Sequence, residues 1–267
     1  MTDDKPAGHL VQRERLGAVE LLTLNRPDHL NAWTADLEDE YFAALEDCER
    51  SDEVRAIVVT GAGRGFCAGA DIHTLKGASE HGTVRAPGRL PRHYPLSLGT
   101  PLIAAINGAA AGIGLVQALY CDVRFIAPQA KVTTAFAKRG LIAEYGIAWL
   151  LPRIIGTSRS LDLLLSSRVM TGQEAHSIGM ADFVVTPEAL VDTAVRYATT
   201  LATSCSPASM RTIKSQVHDG LDTDFSTAVR RSESEMAASF AGADFAEGVS
   251  SFLEHRAPQF APLAARP

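Results

Sequence analysis

Apolar residues follow two rhythms along this chain: short aliphatic and β-branched runs in its earlier part, then helical spacing towards its end. Ala18-Val19-Glu20-Leu21-Leu22-Thr23-Leu24 predicts a strand that stops at Asn25-Arg26-Pro27-Asp28, where proline and aspartate favour a turn. Thr34 is the expected N-cap of a helix that places Leu37, Tyr41, Leu45 and Cys48 on one face up to Ser51. Ala56-Ile57-Val58-Val59-Thr60, bounded by Gly61, is apolar on both sides and predicts a strand buried on both faces. Pro101 to Ile106 reads as another strand, turning at Asn107-Gly108 into small residues and a helix to about Leu119. Short strands are expected again over 122–126 and 131–134, so strands and helices alternate as in an α/β fold with crossover units.

Thr171-Gly172-Gln173-Glu174 matches a capping box, with Gly179 closing a short helix before a strand at 183–185. Beyond Pro187 the spacing predicts helices over 190–201, 207–217, 225–240 and 243–252, broken at Gly220 and Gly242. The expected division is an α/β core over 1–205 and a helical region over 206–267. Residues 74–99 show no period and predict a long mobile segment.

Composition narrows the function. With 267 residues, 46% of them hydrophobic, the chain can bury a sizeable core. A net charge of -6 and the absence of any basic run argue against a nucleic-acid partner. No apolar run reaches the ~18 residues of a membrane span, and Met1 to Lys5 lack the apolar stretch of a signal peptide. The four cysteines, Cys48, Cys67, Cys121 and Cys205, stand far apart without metal spacing. A cytoplasmic protein with no disulfide framework, metal or bound cofactor is expected.

The candidate chemistry starts at Arg64-Gly65-Phe66-Cys67-Ala68-Gly69-Ala70-Asp71-Ile72, a glycine-rich bend after an apolar strand. Such a bend is either a plain tight turn or a place where free backbone N–H groups meet an anion. Gly108 to Gly114 repeats the pattern after the next strand. Two such turns can set two N–H donors around one carbonyl oxygen, an oxyanion hole worth on the order of 3 kcal/mol per donor in the transition state.

Taken in order, Leu24-Asn25-Arg26-Pro27, Leu30-Asn31-Ala32, Gly65 to Ile72, Ala105-Ile106-Asn107-Gly108-Ala109-Ala110-Ala111-Gly112 and Cys121-Asp122 make the chain resemble the crotonase superfamily, the enoyl-CoA hydratases and isomerases. The resemblance implies a spiral of ββα units, a helical C-terminal trimerisation region, a homotrimer or dimer of trimers, and an acyl-CoA substrate that brings the only coenzyme. By motif position the oxyanion donors are the N–H groups of Ala70 and Ile113, the latter where the family usually has glycine. Ala68, Asp71 and Ile72 match positions lining CoA, and Phe252, His255 and Arg256 match the tail that reaches a CoA, sometimes a neighbour's.

The acid/base groups depart from the hydratase pattern. Its two glutamates fall on Val116 and Phe136, which here line the expected acyl pocket and cannot move a proton. Glu144 falls where the family's isomerases carry a catalytic Asp or Glu, in a pocket expected to include Trp149. Isomerisation needs one carboxylate: it removes a proton α to the thioester and returns it two carbons away. Glu144 as a cap of the following helix is the structural alternative. The other functional readings are an enoyl-CoA hydratase (a lyase of fatty-acid degradation) with different acid/base groups and a non-catalytic acyl-CoA binder. Tyr145 could donate to substrate, and His73, His81 and His93 fit a solvated segment as well as a site.

Overall fold

The computed structural model describes residues 8–81 and 89–263. It opens on an antiparallel hairpin, β1 (Val11–Leu16) and β2 (Val19–Leu24), joined through Gly17. Hydropathy does not predict β1, because four of its six residues are exposed and polar. An edge strand tolerates them, and they are used. Arg13 and Arg15 reach across to the buried Glu20 carboxylate at 2.8 and 2.7 Å. Burial opposes that charge, yet the two guanidinium groups outweigh it and hold the carboxyl below its ordinary range. Helix α1 (Ala35–Arg50) follows, its first turn closed by Thr34, whose hydroxyl accepts from the Leu37 N–H at 3.2 Å. Leu37, Tyr41, Leu45 and Cys48 are its buried stripe, as the spacing predicts.

Successive ββα units come next: β3 (Ala56–Gly61), β4 (Gly65–Cys67) and α2 (Ile72–His81), then β5 (Leu102–Ile106), β6 (Ala109–Ala111) and α3 (Ile113–Leu119). β7 (Val123–Ile126) and β8 (Lys131–Thr133) lead through a loop to α4 (Ile147–Ile155) and α5 (Thr157–Ser166). β9 (Met170–Thr171), α6 (Gly172–Ser177) and β10 (Phe183–Val184) complete the α/β part. The first strand of each unit enters a sheet of order β1-β2-β3-β5-β7-β10, and the second enters a smaller sheet of order β4-β6-β8-β9. β3 is buried along its whole length between parallel neighbours β2 and β5.

Hydropathy leaves further elements unseen. The glycine-rich bend contains a strand, β4, whose three residues are too few to show a period. Residues 74–99, expected to be a long mobile segment and given no structure from sequence, begin within helix α2, and their later part holds a short 3-10 turn at Tyr94–Ser97; residues 82–88 lie outside the described part. Helix α5 was not predicted, since only Ser160 and Leu163 of it are buried.

Helix α7 (Pro187–Ser204) lies across β2, β3, β5 and β7. Its buried residues, Leu190, Ala194, Ala198 and Ala202, recur every four positions and are mostly small, so the helix can approach the sheet closely. The chain ends in α8 (Pro207–Gly220), α9 (Phe225–Phe240) and α10 (Ala243–Leu253). Among the described residues no helix is long and apolar enough to cross a membrane.

Candidate active site

The site forms where two turns are brought side by side. β4 and β6 pair in parallel, Gly65 opposite Ala109 and Cys67 opposite Ala110, so the bends that leave them are neighbours. Gly69 makes the first bend with φ 99°, and a Cβ there would lie 2.9 Å from the Ala111 carbonyl oxygen. Trp33 holds the bend from the other side: its N–H donates to Gly69 O at 2.8 Å, and its carbonyl accepts from Asp71 N at 3.0 Å. The Ala70 N–H between them donates to no group among the described residues. Ile113 is the first residue of α3, after Gly112 with φ 49°, and no side chain caps this turn. Its N–H is likewise unused among the described residues.

Both donors line one cleft of about 620 Å³. Of the residues expected at the site, Ala68, Ala70, Ile113, Phe136, Glu144 and Tyr145 line it together. Several expected residues do not. Val116 is fully buried in α3 and shows no surface to the cleft, and Trp149 faces solvent with Arg153 stacked 3.8 Å from its ring. Asp71 turns inward: Arg26 pairs with it at 3.1 Å and the His73 N–H donates to it at 3.0 Å. Burial opposes the Asp71 charge, but these bonds prevail and hold its carboxyl below the ordinary range. Ile72 is exposed on α2, while Phe252, His255 and Arg256 lie exposed at the C-terminal end of α10 and beyond, off the cleft of their own chain. Arg256 is paired there with Glu247 and Glu254.

Glu144 is half-buried in the turn before α4. The N-cap of that helix is Gly146, with φ 72° and no side-chain cap, so the Glu144 carboxylate does not serve as one. Tyr145 beside it takes a left-handed φ of 57°, an uncommon conformation for a bulky residue. Its carbonyl accepts from the Tyr120 hydroxyl, which fixes the turn. Burial first, and then the Glu144 carboxylate, push the Tyr145 phenol above its usual value, although Arg92 works the other way. The phenol therefore stays a hydrogen-bond donor at neutral pH. Cys67, next to the bend, is buried, which pushes its thiol to about 12 and leaves it a packing group. His73 and His93 are exposed and line no part of the cleft; the side chain of His81 lies outside the described part.

The sequence reading missed a charged wall of the cleft: Glu38, Arg89 and Arg92. Glu38 is 1% exposed, and its Oε2 accepts from Trp33 Nε1 and Arg92 Nε, both at 2.8 Å. The available signal was position, because Glu38 sits four residues before Phe42 and seven before Leu45, on the apolar stripe of α1.

The chain is similar to known proteins over most of its length. Residues 14–262 match the family model described as enoyl-CoA hydratase/isomerase. The 1,2-epoxyphenylacetyl-CoA isomerase of Escherichia coli is 37% identical over 249 residues, covering 91% of this chain and 94% of that one. A probable enoyl-CoA hydratase/isomerase of Mycobacterium abscessus superposes with a TM-score of 0.87 at 28% identity, over 95% of this chain and 99% of that one. The enoyl-CoA hydratase EchA12_1 of Mycobacterium marinum is 46% identical with a TM-score of 0.69, over 79% of this chain and 98% of that one. Ordered motifs, paired glycine turns and whole-chain likeness converge: the chain belongs to the enoyl-CoA hydratase/isomerase family and has the crotonase fold.

Proposed function

We propose that this enzyme moves the double bond of a 3-enoyl-CoA into conjugation with its thioester. The observation that carries the reading is Glu144, a carboxylate free of any capping role that lines the same cleft as the unused N–H groups of Ala70 and Ile113. Glu144 takes the C2 proton, the two N–H groups stabilise the dienolate oxygen, and Glu144 returns the proton to C4. The proton that leaves is the one that returns, so no water is consumed. Tyr145, kept neutral, can donate a hydrogen bond that positions the Glu144 carboxylate. The likeness to the 1,2-epoxyphenylacetyl-CoA isomerase of E. coli, an isomerase of an acyl-CoA, supports this reading at the level of reaction class.

Backbone groups of Ala68, Asp71 and Ile72 would line the CoA, and Phe252, His255 and Arg256 would reach a neighbour's CoA in a homotrimer or dimer of trimers. A hydratase reading needs two carboxylates, and among the described residues Glu38 is the other one lining the cleft. Its bonds to Trp33 and Arg92 fix it in the cleft wall, which suits structure better than proton transfer. With 3-hexenoyl-CoA the rise in absorbance of the conjugated product should be lost in Glu144→Gln, with kcat down by ~10²–10⁴ and KM little changed. Full activity of that variant, or hydration of 2-hexenoyl-CoA at ordinary enzymatic rates, would overturn the assignment.

A further inference from the structure

Arg92 is a cation built into the cleft wall. Its Nε is committed to the buried Glu38 at 2.8 Å, and its Cζ lies 5.0 Å from the centre of the Tyr145 ring. Its backbone carbonyl accepts from Gln117 Nε2 at 3.0 Å, a bond from the helix that also carries Ile113. Ion pair, ring and backbone thus fix the guanidinium before any ligand arrives. Burial disfavours its charge, but the Glu38 bond outweighs that, and Arg92 stays cationic. Only one of its donor groups is used: among the described residues Nη1 and Nη2 donate to nothing.

A hydrocarbon acyl chain packed over those N–H groups would strip their water and give no bond in return. A carboxylate on the chain would satisfy them but bring a further anion beside Glu144, while the charge of Arg92 is already matched by Glu38 and that of Arg89 by Glu38 and Asp39. A neutral oxygen meets both conditions. Resting on the reading of this cleft as an acyl-CoA site, we infer that its preferred substrates carry a ketone, hydroxyl or ether oxygen on the acyl group, bound by Nη1 and Nη2 of Arg92. Arg92 is then a specificity-determining residue, Glu38 and Trp33 its positioning residues.

Saturated acyl-CoAs test this without any turnover. Calorimetric titration with hexanoyl-CoA, its 4-oxo, 5-oxo and 6-hydroxy derivatives and adipoyl-CoA should show at least one neutral oxygenated ligand binding about tenfold more tightly than hexanoyl-CoA, and adipoyl-CoA gaining nothing. In Arg92→Met the ratio should fall to within about twofold. Arg92→Lys keeps a cation for Glu38 but lacks the spare planar donors, so it should lose the preference too, and it decides the matter if the Met variant does not fold. Equal binding of all the ligands, tightest binding of adipoyl-CoA, or a preference that survives either substitution would overturn the inference. A preference for oxygen without turnover of 3-enoyl-CoAs would sink the isomerase reading alone, whereas no binding of any acyl-CoA would sink both.

Discussion

Gly114 has no space for even a methyl group. A Cβ there would lie 2.2 Å from the Cys67 carbonyl oxygen and 2.7 Å from Cys67 Sγ, and the first is strand backbone that cannot swing aside. The close seat of α3 on β4 is what sets the Ile113 N–H beside the Ala70 bend. Gly114→Ala should therefore cost about 3 kcal/mol through overpacking, lowering Tm by roughly 6–12 °C for a chain of this size, and should depress kcat with 3-hexenoyl-CoA. Gly220→Ala is the control, since nothing lies within 4 Å of its Cβ position and alanine favours the helix end. Equal melting temperatures for the two variants would show that the seat is not tight. At this scale the sequence was legible where one short motif makes a turn, as at Gly69-Ala70 and at Glu144. It was silent on the pairing of Glu38 with Arg92, because they meet across 54 residues and neither has a local neighbour that announces it.

Elements were legible in proportion to how much of their surface they bury. Helices α1 and α7 have continuous apolar stripes, and the pattern finds both. β1 escapes because its stability comes from Arg13 and Arg15 on Glu20, an arrangement that looks in sequence like a charged loop. Helix α8 buries little, and charge contributes to its anchorage. Lys214 pairs with Asp122 at 2.8 Å, His218 Nε2 stands 3.8 Å from the same carboxylate, and Asp122 also accepts the Leu102 N–H at 2.7 Å. Arg211 meets Glu49 at 3.4 Å alongside. Burial opposes the Asp122 charge, but His218, Lys214 and the Leu102 N–H prevail and hold the carboxyl below its ordinary range. A depressed carboxyl stabilises the fold above the unfolded value, about 4, and that contribution is lost as pH falls through the folded value. Asp122→Asn should cost about 3 kcal/mol at pH 7, where it strands the 9% exposed Lys214 side chain without its partner. Urea unfolding at pH 7 and pH 3 should show the gap between wild type and variant shrinking on acidification. A gap that widened would reverse the sign of the linkage.

The whole molecule carries more apolar surface on its C-terminal helices than an isolated chain needs. Ile213 and Val217 on α8, Phe225 at 85% exposed and Phe240 at 57% on α9, and Phe245, Val249, Phe252 and Leu253 on α10 all face outward. Scattered apolar side chains are ordinary on a surface, but this many on three consecutive helices would suit a face against which a second copy packs. The proposed homotrimer would supply such a cover, and it would also give Phe252, His255 and Arg256 a role, since none of them lines the cleft of its own chain. Light scattering behind size exclusion should give three or six times the 28.5 kDa of one chain. Phe225→Asp combined with Phe240→Asp should shift the mass downward, because a carboxylate buried without a partner opposes association. If the tail completes a neighbour's CoA site, the dissociated variant should show a raised KM for 3-hexenoyl-CoA and a kcat closer to wild type, because Glu144 and the N–H groups of Ala70 and Ile113 line the cleft of one chain. A monomeric wild-type protein at micromolar concentration would remove the trimer, and a dissociated variant with unchanged KM would confine the CoA site to a single chain.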